Sequence, residues 1–262
     1  MKKIIISLLV VCAGVMTYGQ DKTTWKNKKC AIALTYDDAL AIDLDNVIPV
    51  LDSLGLKGTF YLSCAYPGFR ERITDWKKAA QKGHELANHS LFHPCNGNMP
   101  GREWVKPEYN LANYTLQRMR EELRVTNTML EAVDGKTKRT FAYPCGDTKI
   151  GDSLYLDKKD FVAARGVKQE MMNIDQVDLY NVGCYAIDGQ SGDELIALAK
   201  KAIESHTLLV FLFHGVGGGH PINVSLEAHR QLVYFLKEHE KEIWIAPFID
   251  ITEYVKAQTK KP

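Results

Sequence analysis

The sequence predicts an α/β fold: a distorted, TIM-like (β/α) barrel of about seven strands. Three observations predict it. Short apolar runs alternate with amphipathic stretches along most of the chain, the pattern of a parallel sheet with crossover helices. Leu208 to Phe213 (LLVFLF) is continuously apolar, as expected of a strand buried on both faces. Seven or eight such units in roughly 240 residues suit closure into a barrel better than an open sheet.

The elements follow in order. Cys30 to Thr35 reads as a strand and Ala41 to Leu54 as a helix, with apolar residues at helical spacing. Gly58 to Ser63 is a second strand, Trp76 to Lys82 a short helix stopped at Gly83, and Glu85 to Ala87 a brief third strand. Pro94 to Asn110, rich in Pro, Gly and Asn, reads as a long loop. Thr115 to Val133 is a strong helix ended by Asp134-Gly135. Arg139–Ala142, Phe161–Ala164 and Val182–Ile187 are further strands. Gly192 to Ser205 is helical, with Asp193 and Glu194 placed in its first turn to suit the helix dipole. After the Leu208–Phe213 strand come a helix over Ser225–Lys237, a strand over Ile243–Ala246 and a closing helix over Ile249–Lys256. No linker or internal repeat interrupts residues 21–262, which read as a single domain.

The first twenty residues have a different character. Lys2 and Lys3 precede an apolar stretch from Ile4 to Val11, then small and turn-forming residues up to Gly19-Gln20. This is the shape of a cleavable signal peptide, too short to span a bilayer comfortably. It predicts export to the periplasm or cell exterior, with no stable membrane insertion after cleavage. The chain has 33 basic and 32 acidic residues, and loss of Lys2 and Lys3 tips that balance slightly negative. No basic stripe invites nucleic acid. Oligomeric state is not specified by the pattern.

Besides Cys12 there are Cys30, Cys64, Cys95, Cys145 and Cys184, with no C-x-x-C pair, which disfavours a structural zinc site. Five cysteines in an oxidising compartment leave at least one free thiol, expected to be buried. Cys145 lies in the turn Tyr143-Pro144-Cys145-Gly146 and reads as a packed or backbone-presenting residue rather than a nucleophile.

In a β/α barrel, chemistry gathers at the carboxyl ends of the strands. Those ends carry Thr35-Tyr36-Asp37-Asp38, then His89 and His93, then Tyr143-Pro144-Cys145-Gly146, then Asp188, then His214-Gly215. Two imidazoles four residues apart share a face if the segment is helical. With one carboxylate they make a cation site that leaves positions open for water and substrate. Successive strand side chains point oppositely, so one of Asp37 and Asp38 is expected to face the cation and the other a water. His214, beside Gly215-Val216-Gly217-Gly218-Gly219, suits a general acid. His84, His206, His220, His229 and His239 read as structural histidines, His220 alone lying near the cleft.

These motifs resemble the polysaccharide deacetylase family, the carbohydrate esterases that share the NodB-type domain. The T-F-D-D-G motif is matched by Thr35-Tyr36-Asp37-Asp38-Ala39, the H-[ST]-x-x-H motif by His89-Ser90-Leu91-Phe92-His93, and the L-x-H motif by Leu212-Phe213-His214. Two motifs depart from the pattern. The arginine of R-x-P-Y, which orients the base in the family, is replaced by Ala142; a different arginine, such as Arg70, Arg102 or Arg165, could substitute. The D-W element is reduced to Asp188-Gly189.

The resemblance implies a metal-dependent hydrolase that removes N- or O-linked acetyl groups from a carbohydrate. Asp38, His89 and His93 would hold one divalent cation, zinc first, with Co2+, Ni2+ and Mn2+ as alternatives. Asp37 would be the base and His214 the acid. Tyr143, Cys145 (through its backbone N–H), Asp188 and Leu212 would contact the substrate or its oxyanion. Tyr36, Tyr61, Tyr66, Phe92, Trp104 and Tyr143 are candidates for stacking on sugar rings, with core filling equally suited to Tyr36 and Tyr61. The rival readings are a non-catalytic carbohydrate binder that keeps the metal and a non-haem iron oxygenase.

Overall fold

A computed structural model describes residues 25–259; the expected signal peptide at residues 1–20 lies outside the described residues. The first strand, β1 (Cys30–Tyr36), is followed by a π-helical turn (Asp43–Val47) that runs on into α1 (Ile48–Leu54). Pro49 accounts for the irregular start. Having no N–H, it cannot bond the carbonyl four residues back, and Ile48 instead donates to Asp43 O, five back. Next come β2 (Thr59–Leu62), α2 (Pro67–Arg70), α3 (Ile73–Gln81) and β3 (Glu85–Asn88). A long irregular stretch leads to α4 (Leu116–Asp134), capped by the Thr115 hydroxyl and ended by Gly135 in the left-handed region.

The second half holds β4 (Phe141–Ala142), a hairpin of β5 (Lys149–Ile150) and β6 (Ser153–Leu154), then β7 (Ala164–Arg165) and β8 (Tyr185–Ala186). The sequence pattern did not predict this hairpin. Helix α5 (Gly192–Ser205) starts with a Ser191–Glu194 capping box. It is followed by β9 (Leu208–Phe213), the small pair β10 (Gly215–Val216) and β11 (Asn223–Val224), α6 (Leu226–Glu238), β12 (Ile243–Ile245) and α7 (Phe248–Thr259). Among the described residues, no helix is long and apolar enough to cross a membrane.

The main sheet has eight strands in the order β7-β4-β3-β2-β1-β9-β8, with β12 alongside the first half of β1, and every pairing in it is parallel. A parallel bridge from Arg165 to Val182, just before β8, brings the two ends of that path together. The result is the distorted TIM-like barrel that the alternation predicts, with several strands reduced to two residues.

Two cores follow from the period-2 alternation of the strands. Ile32, Leu34, Tyr36, Phe60, Phe211 and Phe213 belong to the large cluster packed under the helices. Ala31, Ala33, Ala87, Ala142, Val210 and Leu212 belong to a second cluster lined largely by small residues, the barrel interior. At the amino ends of the strands the interior is closed by α7. Phe248 N–H donates to Thr59 Oγ1 and Ile249 N–H to Glu85, a carboxylate seated at a helix start. That leaves the opposite, carboxyl-end mouth for chemistry.

Candidate active site

Asp37 and Asp38 leave β1 at this mouth. Tyr36 points outward against Phe60 and Phe213, so Asp37 turns into the barrel. A regular strand would send Asp38 out again. Instead Asp38 and Ala39 adopt φ of 76° and 55°, and the left-handed turn brings the second carboxylate back beside the first. Their side chains therefore converge rather than diverge. Asp37 Oδ2 is 3.8 Å from His89 Nε2, and Asp38 Oδ1 is 3.5 Å from the same atom.

The two carboxylates differ in their partners. Asp37 accepts hydrogen bonds at both oxygens from Nη2 of Arg165, at 2.7 Å for Oδ1. Arg165 is fully buried and its guanidinium lies 5.1 Å from the Tyr61 ring centroid. It stands in register with Ala142 on the neighbouring strand, so the small side chain there leaves room for it. Asp38 Oδ1 is buried with no hydrogen bond, which at this depth calls for a cationic partner.

The His89–His93 segment is not helical. Ser90 and His93 take φ of 64° and 54°, held by Asn88 Oδ1 accepting from Ser90 N–H (2.7 Å) and Ser90 Oγ accepting from His93 N–H (2.9 Å). The expectation of a shared helical face is corrected: a hydrogen-bonded loop, not helix periodicity, pairs the rings at a centroid distance of 4.7 Å. His89 Nδ1 donates to the Ala142 carbonyl at 2.9 Å, which turns Nε2 toward Asp38. His93 Nε2 is 3.4 Å from Asp38 Oδ1. Ligand atoms of Asp38, His89 and His93 all lie within 4.8 Å of one another.

From β9, His214 brings Nε2 to 3.9 Å from Asp38 Oδ2. His220 stacks on it at a centroid distance of 4.8 Å and reaches the same oxygen at 3.8 Å. In sequence His220 reads as a structural histidine near the cleft; in space it joins the site. The signal was available in the glycine run before it, which lets the chain fold back onto the site. His220 Nδ1 lies 3.1 Å from Ile222 N and 3.3 Å from Ile222 O, which turns Nε2 toward the cleft.

Electrostatics follow the geometry. Burial pushes the Asp38 carboxyl up, but His93 and His89 beside it outweigh this and hold it well below the usual range. Burial also lowers His93, to about 4, and His214, with the nearby carboxylates only partly compensating. For His89 burial acts downward too, but Asp37 and Asp38 dominate and raise it.

The other expected contacts separate into different roles. Tyr143 turns into the core against Phe141 and Tyr155, and its hydroxyl donates to Tyr180 O at 3.0 Å, so its side chain is a packing group. Asp188 is exposed and accepts from Asn223 N–H at 3.3 Å, tying two loops together. Leu212 is buried in the interior cluster below the cleft. Cys145 is neither free nor merely packed: it forms a disulfide with Cys95, joining its turn to the loop two residues beyond His93. Arg102 Nη2 donates to Cys145 O at 3.0 Å. Cys30, Cys64 and Cys184 are the free, buried thiols among the described residues. Of the three arginines considered as base partners, only Arg165 reaches Asp37.

Comparison with known proteins fits this arrangement. The sequence model described as polysaccharide deacetylase matches residues 25–159, just over half of the chain. The chain belongs to the polysaccharide deacetylase family. A curated relative, the uncharacterized protein YlxY of Bacillus subtilis, is 27% identical over 135 residues, 52% of this chain and 35% of that protein. The chain thus spans about a third of the curated relative it matches.

Among solved structures, one known as a putative polysaccharide deacetylase from Mycobacterium smegmatis superposes with a TM-score of 0.59 at 16% identity, covering 90% of this chain and 93% of that one. A family 4 acetyl xylan esterase from Clostridium thermocellum, solved with a cobalt ion, gives 0.53 at 19% identity, covering 86% and 91%. A CE4 family pseudoenzyme from Bacillus anthracis gives 0.52 at 19% identity, covering 86% and 66%. These likenesses establish the fold. Where this family member carries Ala142, the adjacent strand supplies Arg165 to Asp37.

Proposed function

We propose that this chain is an exported, divalent-cation-dependent carbohydrate deacetylase, with residues 21–262 forming one catalytic domain after the signal peptide is removed. The observation that carries the reading is the meeting of Asp38, His89 and His93 at the barrel mouth, with Asp37 held beside them by Arg165. The donor set suits such an ion. It offers one buried carboxylate oxygen lacking a hydrogen bond and an imidazole whose tautomer is set by Ala142 O. Zinc fits two nitrogens and one oxygen, and Co2+, Ni2+ or Mn2+ suit the same donors. When bound, the cation would act as a Lewis acid on the acetyl carbonyl and on the attacking water.

The chain's own groups supply the rest. Asp37, pinned at both oxygens, accepts the proton of the attacking water. The backbone N–H of Cys145, in a left-handed turn tied down by the disulfide, stabilises the oxyanion, with His220 Nε2 as a second donor in the tautomer that carries a proton there. His214, protonated for that step, donates to the departing nitrogen or oxygen. Both N-acetyl and O-acetyl groups fit this scheme. An acetylated carbohydrate is the substrate class that the family membership supports.

Metal analysis of the purified protein, paired with acetate release from a panel of N- and O-acetylated glycans, tests the proposal. One equivalent of metal and cation-dependent acetate release are expected. His93→Ala should lose about one equivalent of metal; full occupancy in that variant would sink the ligand assignment.

A further inference from the structure

Beside His93 a second cavity of about 550 Å³ opens toward solvent, within the usual range for small-molecule sites. It is lined by Tyr66, Arg70, Phe92, Trp104, Lys106 and Tyr109, with His93 at its inner edge. Phe92 and Tyr109 stack at 5.4 Å, Tyr66 sits 6.1 Å from the His93 ring, and Trp104 is 62% exposed. Large flat side chains left open at a cleft match the apolar faces of sugar rings.

The charges in this cavity are one-sided. Its lining contains two cationic side chains and no Asp or Glu. Nearby arginines are neutralised, Arg72 by Asp45 and Asp75 and Arg102 by Asp147. Arg70 and Lys106 are exposed and form no ion pair among the described residues. A guanidinium fork and an ammonium facing one space are suited to a carboxylate.

We infer that this cavity is a subsite for a sugar ring carrying a carboxylate, next to the acetylated ring at His93. The inference rests on the deacetylase reading for the neighbouring ring, while the carboxylate preference stands on Arg70 and Lys106 themselves. The enzyme would then select anionic over neutral acetylated glycans.

Calorimetric binding to the metal-loaded full chain tests it apart from turnover. The probes are a uronate-containing oligosaccharide, one carrying its carboxylate on an ether substituent, and the carboxyl-reduced neutral form of the first. An anionic probe should bind about tenfold tighter than the neutral one at low salt, and less so as salt rises. The tighter of the two anionic probes shows where the carboxylate sits. In the double variant Arg70→Gln/Lys106→Gln that preference should vanish, and the anionic-to-neutral ratio of kcat/KM for acetate release should fall by a similar factor. Equal binding of anionic and neutral probes to the unaltered chain, or a preference that survives in the double variant, overturns the inference. Retained preference with no acetate release from any glycan would refute the deacetylase reading while leaving the subsite standing.

Discussion

Asp37 and Asp38 are adjacent in sequence, yet one is bound by Arg165 and the other faces two imidazoles. Different partners imply different work. Asp37→Asn is expected to retain metal and fold while reducing turnover by ~10² or more, as for loss of a general base. Loss of metal along with activity would show that the two roles are wrongly divided. His214 is a second test at this scale. Expelling nitrogen from a tetrahedral intermediate needs a proton, whereas a nitrophenolate leaves unaided. His214→Ala should therefore slow amide hydrolysis by ~10²–10⁴ and affect an activated acetyl ester far less. Equal losses on both substrates, measured on folded and metal-loaded protein, would assign His214 a structural role only.

The elements place these residues through a few strained positions. Among the described residues, five of the eight non-glycine residues at positive φ are Asp38, Ala39, Ser90, His93 and Cys145, all at the barrel mouth. Strain gathered there is sustained by the surrounding packing. Helix α2 is part of that support. A Cβ on Gly68 would lie 2.0 Å from Ala39 O, a contact with backbone that cannot turn aside. Gly68→Ala should push the Asp38–Ala39 turn out of place and weaken metal binding at least tenfold by equilibrium titration, although residue 68 holds no ligand. Unchanged affinity would mean that the turn does not depend on α2. Such strain is invisible to periodicity. The H-x-x-x-H spacing suggested a helix, whereas Asn88 and Ser90 side chains build a loop that brings the rings together.

For the whole molecule, stability should depend on pH through histidines remote from the cleft. His84 accepts from Gly58 N–H and lies 3.2 Å from Asp52; burial lowers it from 6.5 to about 4. His229, bonded to Tyr36 OH, is lowered by burial to about 3. Both are neutral when folded, so the unfolded chain takes up their protons first as pH falls through 6.5. Stability should then decline from about pH 6.5 toward 4 and be insensitive to these groups above that range. Each contributes up to about 1.4 kcal/mol per pH unit within its window. Denaturant midpoints of metal-free protein from pH 7.5 to 4.5 check this, and a flat profile would refute it.

What the sequence by itself determined is what local chemistry repeats along the chain. Alternating strands and helices identified the parallel barrel, and strand ends marked Asp37, Asp38, His89, His93 and His214. Only the tertiary structure decided which distant groups meet them. The pairing of β4 with β7 sets Arg165 against Asp37, 128 residues away. The fold-back after β9 stacks His220 on His214, and the Cys95–Cys145 bridge joins two loops 50 residues apart. Tyr143 shows the converse, a motif residue drawn into the core by Phe141 and Tyr155. Periodicity reports which face a residue occupies; register and loop closure determine its neighbours, and these arise only when the barrel closes.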